Sequence, residues 1–177
     1  MTTSRTPLPP PRLRPATARD GDALERLWAL FRHDLSEVTG ELPGPDGRFR
    51  DERLRAALAD LDRCDGARWG AHLATVDDRP VAFALVRGLD TPVRVLSAFF
   101  VARAARRHGL GREVATAVLR TVPGPWEIAF QDANAAAAAF WPRVATDVAG
   151  EGWSLEHRAV PGRPDLPPDS WVRLDVS

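Results

Sequence analysis

The sequence predicts a single α/β domain built around one mixed sheet. Apolar residues recur at helical spacing in four segments and form strand-like runs in seven, in the order β-α-α-β-β-β-α-β-α-β-β. The run Val93–Val101 has almost no polar interruption, which is typical of a central strand buried on both faces. A chain of 177 residues is long enough to bury about 70% of its unfolded surface in one such domain.

The first part of the chain predicts one short strand and two helices. A proline-rich segment, residues 1–12, has no apolar periodicity and is expected to be a flexible tail. Leu13-Arg14 form the first predicted strand, and residues 17–22 offer capping side chains to the helix that follows. A loop at residues 43–47 separates this helix from a second one, predicted over about Asp51 to Leu61.

The rest of the chain predicts six strands and two helices. The first two of these strands are joined by a predicted hairpin turn at Asp77–Pro80. The strands are predicted over His72–Val76, Val81–Val86, Val93–Val101, Trp126–Phe130, Trp153–Val160 and Trp171–Val176, and the helices after Gly111 and over Ala133–Val144.

The composition excludes several classes of function. The chain has 24 basic and 24 acidic residues, so it lacks the positive surplus that nucleic-acid binding needs. It contains no lysine, which excludes a lysine Schiff base and the lysine of a phosphate-binding P-loop. Cys64 is the only cysteine, so no disulfide within the chain and no CxxC metal site is expected. Without a long apolar segment or a signal-peptide pattern, the protein is expected in the cytoplasm, away from the membrane.

The segment Arg106–Arg112 has the features of an anion-binding loop. Gly109 and Gly111 let backbone N–H groups approach a ligand closely, and the predicted helix that follows presents its positive dipole end to the same point. Together these groups suit a pyrophosphate, and the arginines of the loop add positive charge. Taken alone, the glycine pair is equally compatible with an ordinary turn. A dinucleotide-binding turn fits less well, because the third glycine is missing.

The pattern Arg106-x-x-Gly109-x-Gly111 resembles the R/Q-x-x-G-x-G/A signature of GCN5-related N-acetyltransferases (GNAT). It stands where that family has it, between the fourth strand and the third helix. The early strand and helices, the predicted hairpin and the sequence from Asn134 to Phe140-Trp141 are also similar to the family. The resemblance covers about Leu13 to Val176. It implies the GNAT fold as a single domain over residues 13–177, with a mixed, mostly antiparallel sheet of about seven strands and about four helices.

The resemblance also implies acetyl-CoA as the acyl donor, with no metal. The end of the fourth strand would pair with the pantetheine arm, and the glycine loop would hold the pyrophosphate. The residues that this places around the donor are Phe99, Phe100, Val101, Arg106, Arg107, His108, Gly109, Leu110, Gly111, Arg112, Asn134, Phe140 and Trp141. The acceptor amine would attack the thioester directly, which needs a base, an oxyanion donor and an acid for the thiolate. The residues that this places around the acceptor are Trp28, His33, Asp34 and Ser97.

The sequence departs from the family at two catalytic positions. The central strand carries no carboxylate near Ser97, and Trp141 stands where relatives have a tyrosine that protonates the thiolate. Glu127 and His33 are the candidate bases. An exposed strand glutamate and a solvated histidine at a helix end are the alternatives for these two residues.

Two hypotheses about function follow. The first is an acetyl-CoA-dependent N-acetyltransferase that acts on the amine of a small molecule. The alternative is a GNAT-fold protein that has lost or changed the transfer chemistry, as an acyl-CoA sensor or a recruited biosynthetic catalyst. A partner nucleic acid or membrane is not expected, and a homodimer stays open because relatives often dimerise.

Overall fold

The computed structural model describes residues 9–63, 65–106, 109–160 and 165–177. Residues 1–8 of the predicted tail lie outside them. The strands are β1 (Arg12–Pro15), β2 (Trp69–Val76), β3 (Arg79–Arg87), β4 (Arg94–Val101), β5 (Gly124–Phe130), β6 (Trp153–Arg158) and β7 (Asp169–Val176). The helices are α1 (Gly21–Thr39), α2 (Glu52–Asp60), α3 (Leu110–Leu119) and α4 (Ala135–Ala149).

The strands form one sheet in the order β1-β2-β3-β4-β5-β7-β6. Every neighbouring pair is antiparallel except β4 and β5, which are parallel. This confirms the predicted fold class, a mixed and mostly antiparallel sheet with its helices in the predicted order. No helix in the described part of the chain is long and apolar enough to span a bilayer.

The helices cover the two faces of the sheet unequally. On one face, called the α3/α4 face, a large core includes Trp126 and Ile128 of β5 and Val114 of α3. On the other, called the α1/α2 face, a smaller core forms around Leu24 and Phe83. Helices α1 and α2 pack on β2, β3 and β4. Along β5 and β7, the α1/α2 face therefore carries charged side chains, which alternate with the buried side chains of the α3/α4 face.

The parallel strands β4 and β5 separate after a short paired stretch. Only Arg94, Val95 and Leu96 of β4 have partners on β5. Beyond Leu96, β4 continues to Val101 and pairs only with β3. The remaining edge of β4 therefore borders an opening, which we call the β4/β5 cleft.

A β-bulge lies where the cleft begins. On β3, Leu85 pairs with Ala98 and Val86 pairs with Leu96, so Ser97 is an extra residue without a partner on β3. A bulge of this kind bends the strand and takes main-chain groups out of the regular ladder. The bulge therefore accompanies the divergence of β4 from β5.

Some element boundaries differ from the prediction. The turn between β2 and β3 contains only Asp77 and Asp78, whose φ angles are 49° and 58°. Positive φ at both central residues is the mark of a type I′ turn, so β3 begins at Arg79 rather than at Val81. Helix α4 continues past Val144 because its stop signal is Gly150, which has a positive φ.

Candidate active site

The start of α3 is built to hold an anion. Gly109 caps the helix with φ 77°, a left-handed conformation that favours glycine. The amides of Arg112 and Glu113 bond to the carbonyl of Gly109. The preceding amides of Leu110 and Gly111 belong to the first turn, whose N–H groups have no partner within the helix. They point outward at the positive end of the helix dipole, where a phosphate is stabilised.

The surroundings of Gly111 leave room for a ligand but little room for a side chain. A Cβ atom at this position would lie 3.5 Å from Val101 Cγ2 and 3.8 Å from Phe140 Cε2, which are ordinary contact distances. Alanine therefore fits here, whereas a large side chain would fill the space between the end of β4 and α4. The residues present fit a pyrophosphate at the mouth of the β4/β5 cleft.

The arginines of this loop are engaged by the protein itself. Arg106 donates to the carbonyl of Val101 at 2.7 Å and forms an ion pair with Asp34 of α1. Arg112 forms an ion pair with Asp147 of α4. Both guanidinium groups thus fix the loop to its neighbours, which leaves the backbone amides to contact a phosphate. The other two predicted loop residues, Arg107 and His108, lie outside the described residues.

Aromatic side chains form one wall of the cleft. Phe99 stacks on Phe140 with 5.9 Å between ring centroids, and Trp141 lies 5.3 Å from Phe99 in an edge-on orientation. This wall is apolar and suits the alkyl part of a pantetheine arm. Phe100 points the other way, into the core of the α1/α2 face, so only its backbone borders the cleft. Asn134 caps α4, where its side chain accepts from the amide of Ala137 at 3.1 Å.

Arg53 is a site residue that the sequence did not reveal. It lies in the first turn of α2, and its Nη1 donates to the carbonyl of Ser97 at 3.2 Å. The guanidinium therefore lies on the α1/α2 face, at the bulge where the cleft begins. Arg53 is exposed to solvent as a whole, yet desolvation of its guanidinium beside the strand lowers its pKa, and the charge of Arg87 lowers that pKa further.

Asp169 is a second site residue that the sequence prediction missed. It begins β7 on the α1/α2 face, next to the end of β5, and it is half-buried. Gln131 Nε2 donates to its carboxylate at 3.3 Å. Burial raises the pKa of Asp169, and this effect exceeds the opposing influence of Gln131 and of the charge on Arg53. The next residue, Ser170, is fully buried and donates to Asp132, which fixes the start of the strand.

Glu127 lies in an ion-pair network. Its side chain is on the α1/α2 face, opposite the buried Trp126 and Ile128, as the predicted alternation requires. Arg158 donates two hydrogen bonds to it, at 2.9 and 3.0 Å, and Arg173 lies at 3.2 Å. The hydrogen bonds from Arg158 lower the pKa of Glu127 despite its burial. A carboxylate held in this way accepts a proton weakly.

The predicted acceptor residues of α1 lie in three different environments. Trp28 is 5% exposed in the core, and its Nε1 donates to the carbonyl of Arg50 at 2.9 Å. His33 is exposed on the surface. Asp34 is partly buried, and burial alone would raise its pKa. Hydrogen bonds from Arg103 and Arg106 outweigh that effect, so the pKa of Asp34 is lowered. Asp34 therefore connects α1 to the glycine loop.

No cluster of three or more potential metal-ligating side chains occurs within the described ranges of the chain. The arrangement consists instead of an anion cradle, an open strand edge with an aromatic wall, and a polar face that carries Arg53 and Asp169. It can hold an extended phosphate-bearing ligand along β4 and place a carboxylate near the end of the cleft.

Comparison with known proteins assigns the family. The acetyltransferase (GNAT) family model matches residues 24–145. A search of curated proteins gave no match. Among solved structures, the chain is similar to an acetyltransferase from Thermus thermophilus, with a TM-score of 0.64 and 19% identity over 97% of this chain and 100% of that one.

Two further solved structures share the fold. For an acetyltransferase of the GNAT family from Staphylococcus aureus, the TM-score is 0.60 with 14% identity, over 94% of this chain and 99% of that one. For the ribosomal-protein-S18-alanine N-acetyltransferase from Escherichia coli, the TM-score is 0.59 with 16% identity, over 94% of each chain. With the family model matching more than half of its residues, this chain belongs to the GNAT acetyltransferase family.

Proposed function

We propose that the protein is an acetyl-CoA-dependent N-acetyltransferase that acetylates the amine of a small molecule. The observation that carries the proposal is the β4/β5 cleft, which opens directly beside the anion cradle at Gly109 and Gly111. An elongated donor with phosphates at one end and a reactive group at the other matches this arrangement.

The donor binds along β4 in this proposal. The amides of Leu110 and Gly111 hold the pyrophosphate. From Val101 back to Ser97, the open edge of β4 is about 13 Å long at 3.3 Å per residue. Its free main-chain groups can pair with the amides of the pantetheine arm, in the manner of an added strand. Phe99 and the aromatic residues of α4 exclude water from the other side of the arm.

Asp169 is the group best placed to take the proton of the attacking amine. The bound donor supplies an electrophilic thioester at the bulge end of the cleft. A half-buried carboxylate with a raised pKa is a stronger base than an exposed one, and Asp169 lies on the face from which an acceptor can approach. Glu127 and His33, the bases predicted from the sequence, remain the alternative proton acceptors, acting through water.

The second candidate function is donor binding without acetyl transfer. The observation that favours it is Trp141, which is 6% exposed where relatives carry a tyrosine. An indole N–H can donate a hydrogen bond but cannot release a proton at neutral pH. Because a thiolate is a fair leaving group, transfer remains feasible without that acid. The two candidates therefore differ in turnover and not in donor binding.

An acceptor screen separates the two functions. The protein is incubated with acetyl-CoA and a panel of amines, and released coenzyme A and acetylated product are measured by thiol titration and mass spectrometry. The proposal predicts release that depends on an acceptor and is abolished in Gly111→Trp. Acetyl-CoA binding without release for any amine would support the second function and reject the first.

A further inference from the structure

The α1/α2 face beside the cleft has more positive than negative charge. Four arginines around Arg53 and Glu127 are matched by carboxylates within ion-pair distance. These matched groups are Arg32 and Arg50 with Glu41, and Arg158 and Arg173 with Glu127 and Glu156. They form two networks: Arg32 and Arg50 share the single carboxylate of Glu41, whereas Arg158 and Arg173 are balanced by Glu127 and Glu156.

Two arginines on the same face are not matched. Within the described ranges, neither Arg53 nor Arg87 forms an ion pair with a carboxylate. The hydrogen bond of Arg53 goes to a neutral acceptor, the carbonyl of Ser97. The charge of Arg87 also disfavours the charged form of Arg53, which shows that the two groups repel each other. Asp169 attracts Arg53 from beyond ion-pair distance.

The two arginines lie at the reactive end of the cleft. Arg87 pairs with Val95, which is the neighbour of Glu127 across the parallel ladder. From Val95 to Val101 is about 20 Å at 3.3 Å per residue. Arg87 is therefore far from the anion cradle and cannot share the pyrophosphate bound there. Arg53, at the bulge, stands beside the position that the thioester occupies in the proposed function.

We infer that Arg53 and Arg87 bind an anionic group of the acceptor, so that the acceptor is a small amine that also carries a carboxylate or a phosphate. This inference rests on the proposed function, because it concerns the second substrate of the same site. Guanidinium groups bind both kinds of anion through paired N–H donors. With the anion on these arginines, the amine of the acceptor is directed toward Asp169.

Charge complementarity predicts that a simple amine is a poor ligand here. An ammonium group without an anion would add a positive charge beside two unmatched arginines, which is unfavourable. The carboxylates Glu127 and Glu156 cannot attract it strongly, because Arg158 and Arg173 already neutralise them. An acceptor that carries its own anion removes the repulsion between the arginines.

The inference is tested with pairs of acceptors that differ only in the anion. The pairs are an amino acid with its carboxamide, and phosphoethanolamine with ethanolamine. Steady-state kinetics are measured for the wild type, Arg53→Gln, Arg87→Gln and Arg55→Gln. Arg55 is the control, because it is an exposed arginine on α2 whose partner is Asp51.

We expect the wild type to prefer the anionic member of at least one pair. In Arg53→Gln and Arg87→Gln, the KM for that acceptor should rise by about 10- to 100-fold, the effect of losing a charged hydrogen-bond donor. The KM for the neutral member should stay constant or fall. Arg55→Gln should behave as the wild type. Preference for the carboxylate or for the phosphate identifies the anion.

Equal turnover of both members, or an equal rise of KM for both in the variants, would overturn the inference while leaving the proposed function intact. Calorimetric titration of the same pairs into protein saturated with coenzyme A provides a readout that does not need turnover. Tighter binding of the anionic member, reduced in Arg87→Gln, supports the inference even if no acetylation occurs. Equal binding of both members, or no binding of any anionic one, rejects it.

Discussion

Asp169→Asn is expected to slow acetyl transfer by about 10²- to 10⁴-fold, the usual contribution of a general base. At 1.36 kcal/mol per factor of ten, this corresponds to about 3–5 kcal/mol of lost transition-state stabilisation. Asparagine has the same shape and keeps an oxygen that can accept the hydrogen bond from Gln131, now 3.3 Å long. The substitution therefore removes proton acceptance, together with the negative charge that attracts Arg53, and keeps the shape of the side chain.

The assay is the dependence of kcat/KM on pH. Burial raises the pKa of Asp169 above the ordinary aspartate value of about 3.9. The wild-type kcat/KM should therefore increase with pH as this carboxyl ionises, at a higher pH than an exposed aspartate would give. The variant should lack this limb of the profile. Asp175→Asn is the matched control, since Asp175 lies on the same strand and face, about 20 Å away at 3.3 Å per residue.

Stability gives an independent readout for the same variant. A carboxyl whose pKa is higher in the folded than in the unfolded protein binds its proton more strongly when folded. The free energy of unfolding of the wild type should therefore decrease as the pH rises from the pKa of Asp169 in the unfolded protein to its higher pKa in the folded protein. Asp169→Asn lacks this decrease, so its Tm at neutral pH should equal or exceed that of the wild type. Undiminished activity in the variant, or equal loss in Asp175→Asn, would refute the assignment of Asp169 as the base.

Two further predictions concern ion pairs that position elements. Asp34→Asn loses the ion pairs with Arg103 and Arg106 that hold the glycine loop. The affinity for acetyl-CoA, measured by calorimetry, should therefore fall several-fold, and the Tm, measured by thermal unfolding, should fall by about 2–4 °C. Unchanged affinity would contradict this prediction. Asp20→Asn should lower the free energy of unfolding at neutral pH by about 1 kcal/mol, because hydrogen bonds from Arg14 lower the pKa of Asp20. That stabilisation is fully present above the unfolded pKa of about 3.9 and is lost gradually as the pH falls from there toward the lowered pKa of the folded protein, so the difference between wild type and variant in urea titrations should shrink with decreasing pH below about 3.9.

The sequence predicted those features that depend on neighbouring residues. The apolar run of β4 and the glycine pair are local patterns, and β4 appears in the structure within one residue of its predicted start. The helix was predicted to begin after Gly111, but α3 already begins at Leu110, so Gly109 caps the helix and Gly111 lies in its first turn. The turn at Asp77 and Asp78 was predicted too long, because two aspartates are a weaker type I′ signal than Asn-Gly.

The site residues that the sequence missed depend on long-range contacts. Arg53 and Ser97 are 44 positions apart, and Gln131 and Asp169 are 38 apart, so no local pattern joins them. The predicted strand began at Trp171, which left Asp169 in a proline-rich loop. The sequence did offer one local signal for Asp169, which is a carboxylate that stands directly after Pro167-Pro168 and before an alternating strand. Its burial, however, follows only from the order of the strands in the sheet.

The roles of the loop arginines also depend on partners distant in sequence. From its position in the motif, Arg106 was expected to add charge near the phosphates. The structure pairs it instead with Asp34, 72 positions away. A count of charges in a segment cannot reveal which of them are neutralised by the rest of the fold.

The central claim is that the β4/β5 cleft and the cradle at Gly111 bind an acyl-CoA. It is tested most directly by calorimetric titration of acetyl-CoA into the wild type, Gly111→Ala and Gly111→Trp, each shown to be folded by circular dichroism. The alanine Cβ would make only ordinary contacts, at 3.5 Å or more, whereas the indole would fill the cradle. We predict micromolar binding by the wild type and Gly111→Ala, and its loss in Gly111→Trp. No binding by the folded wild type, or equal binding by Gly111→Trp, would contradict the claim.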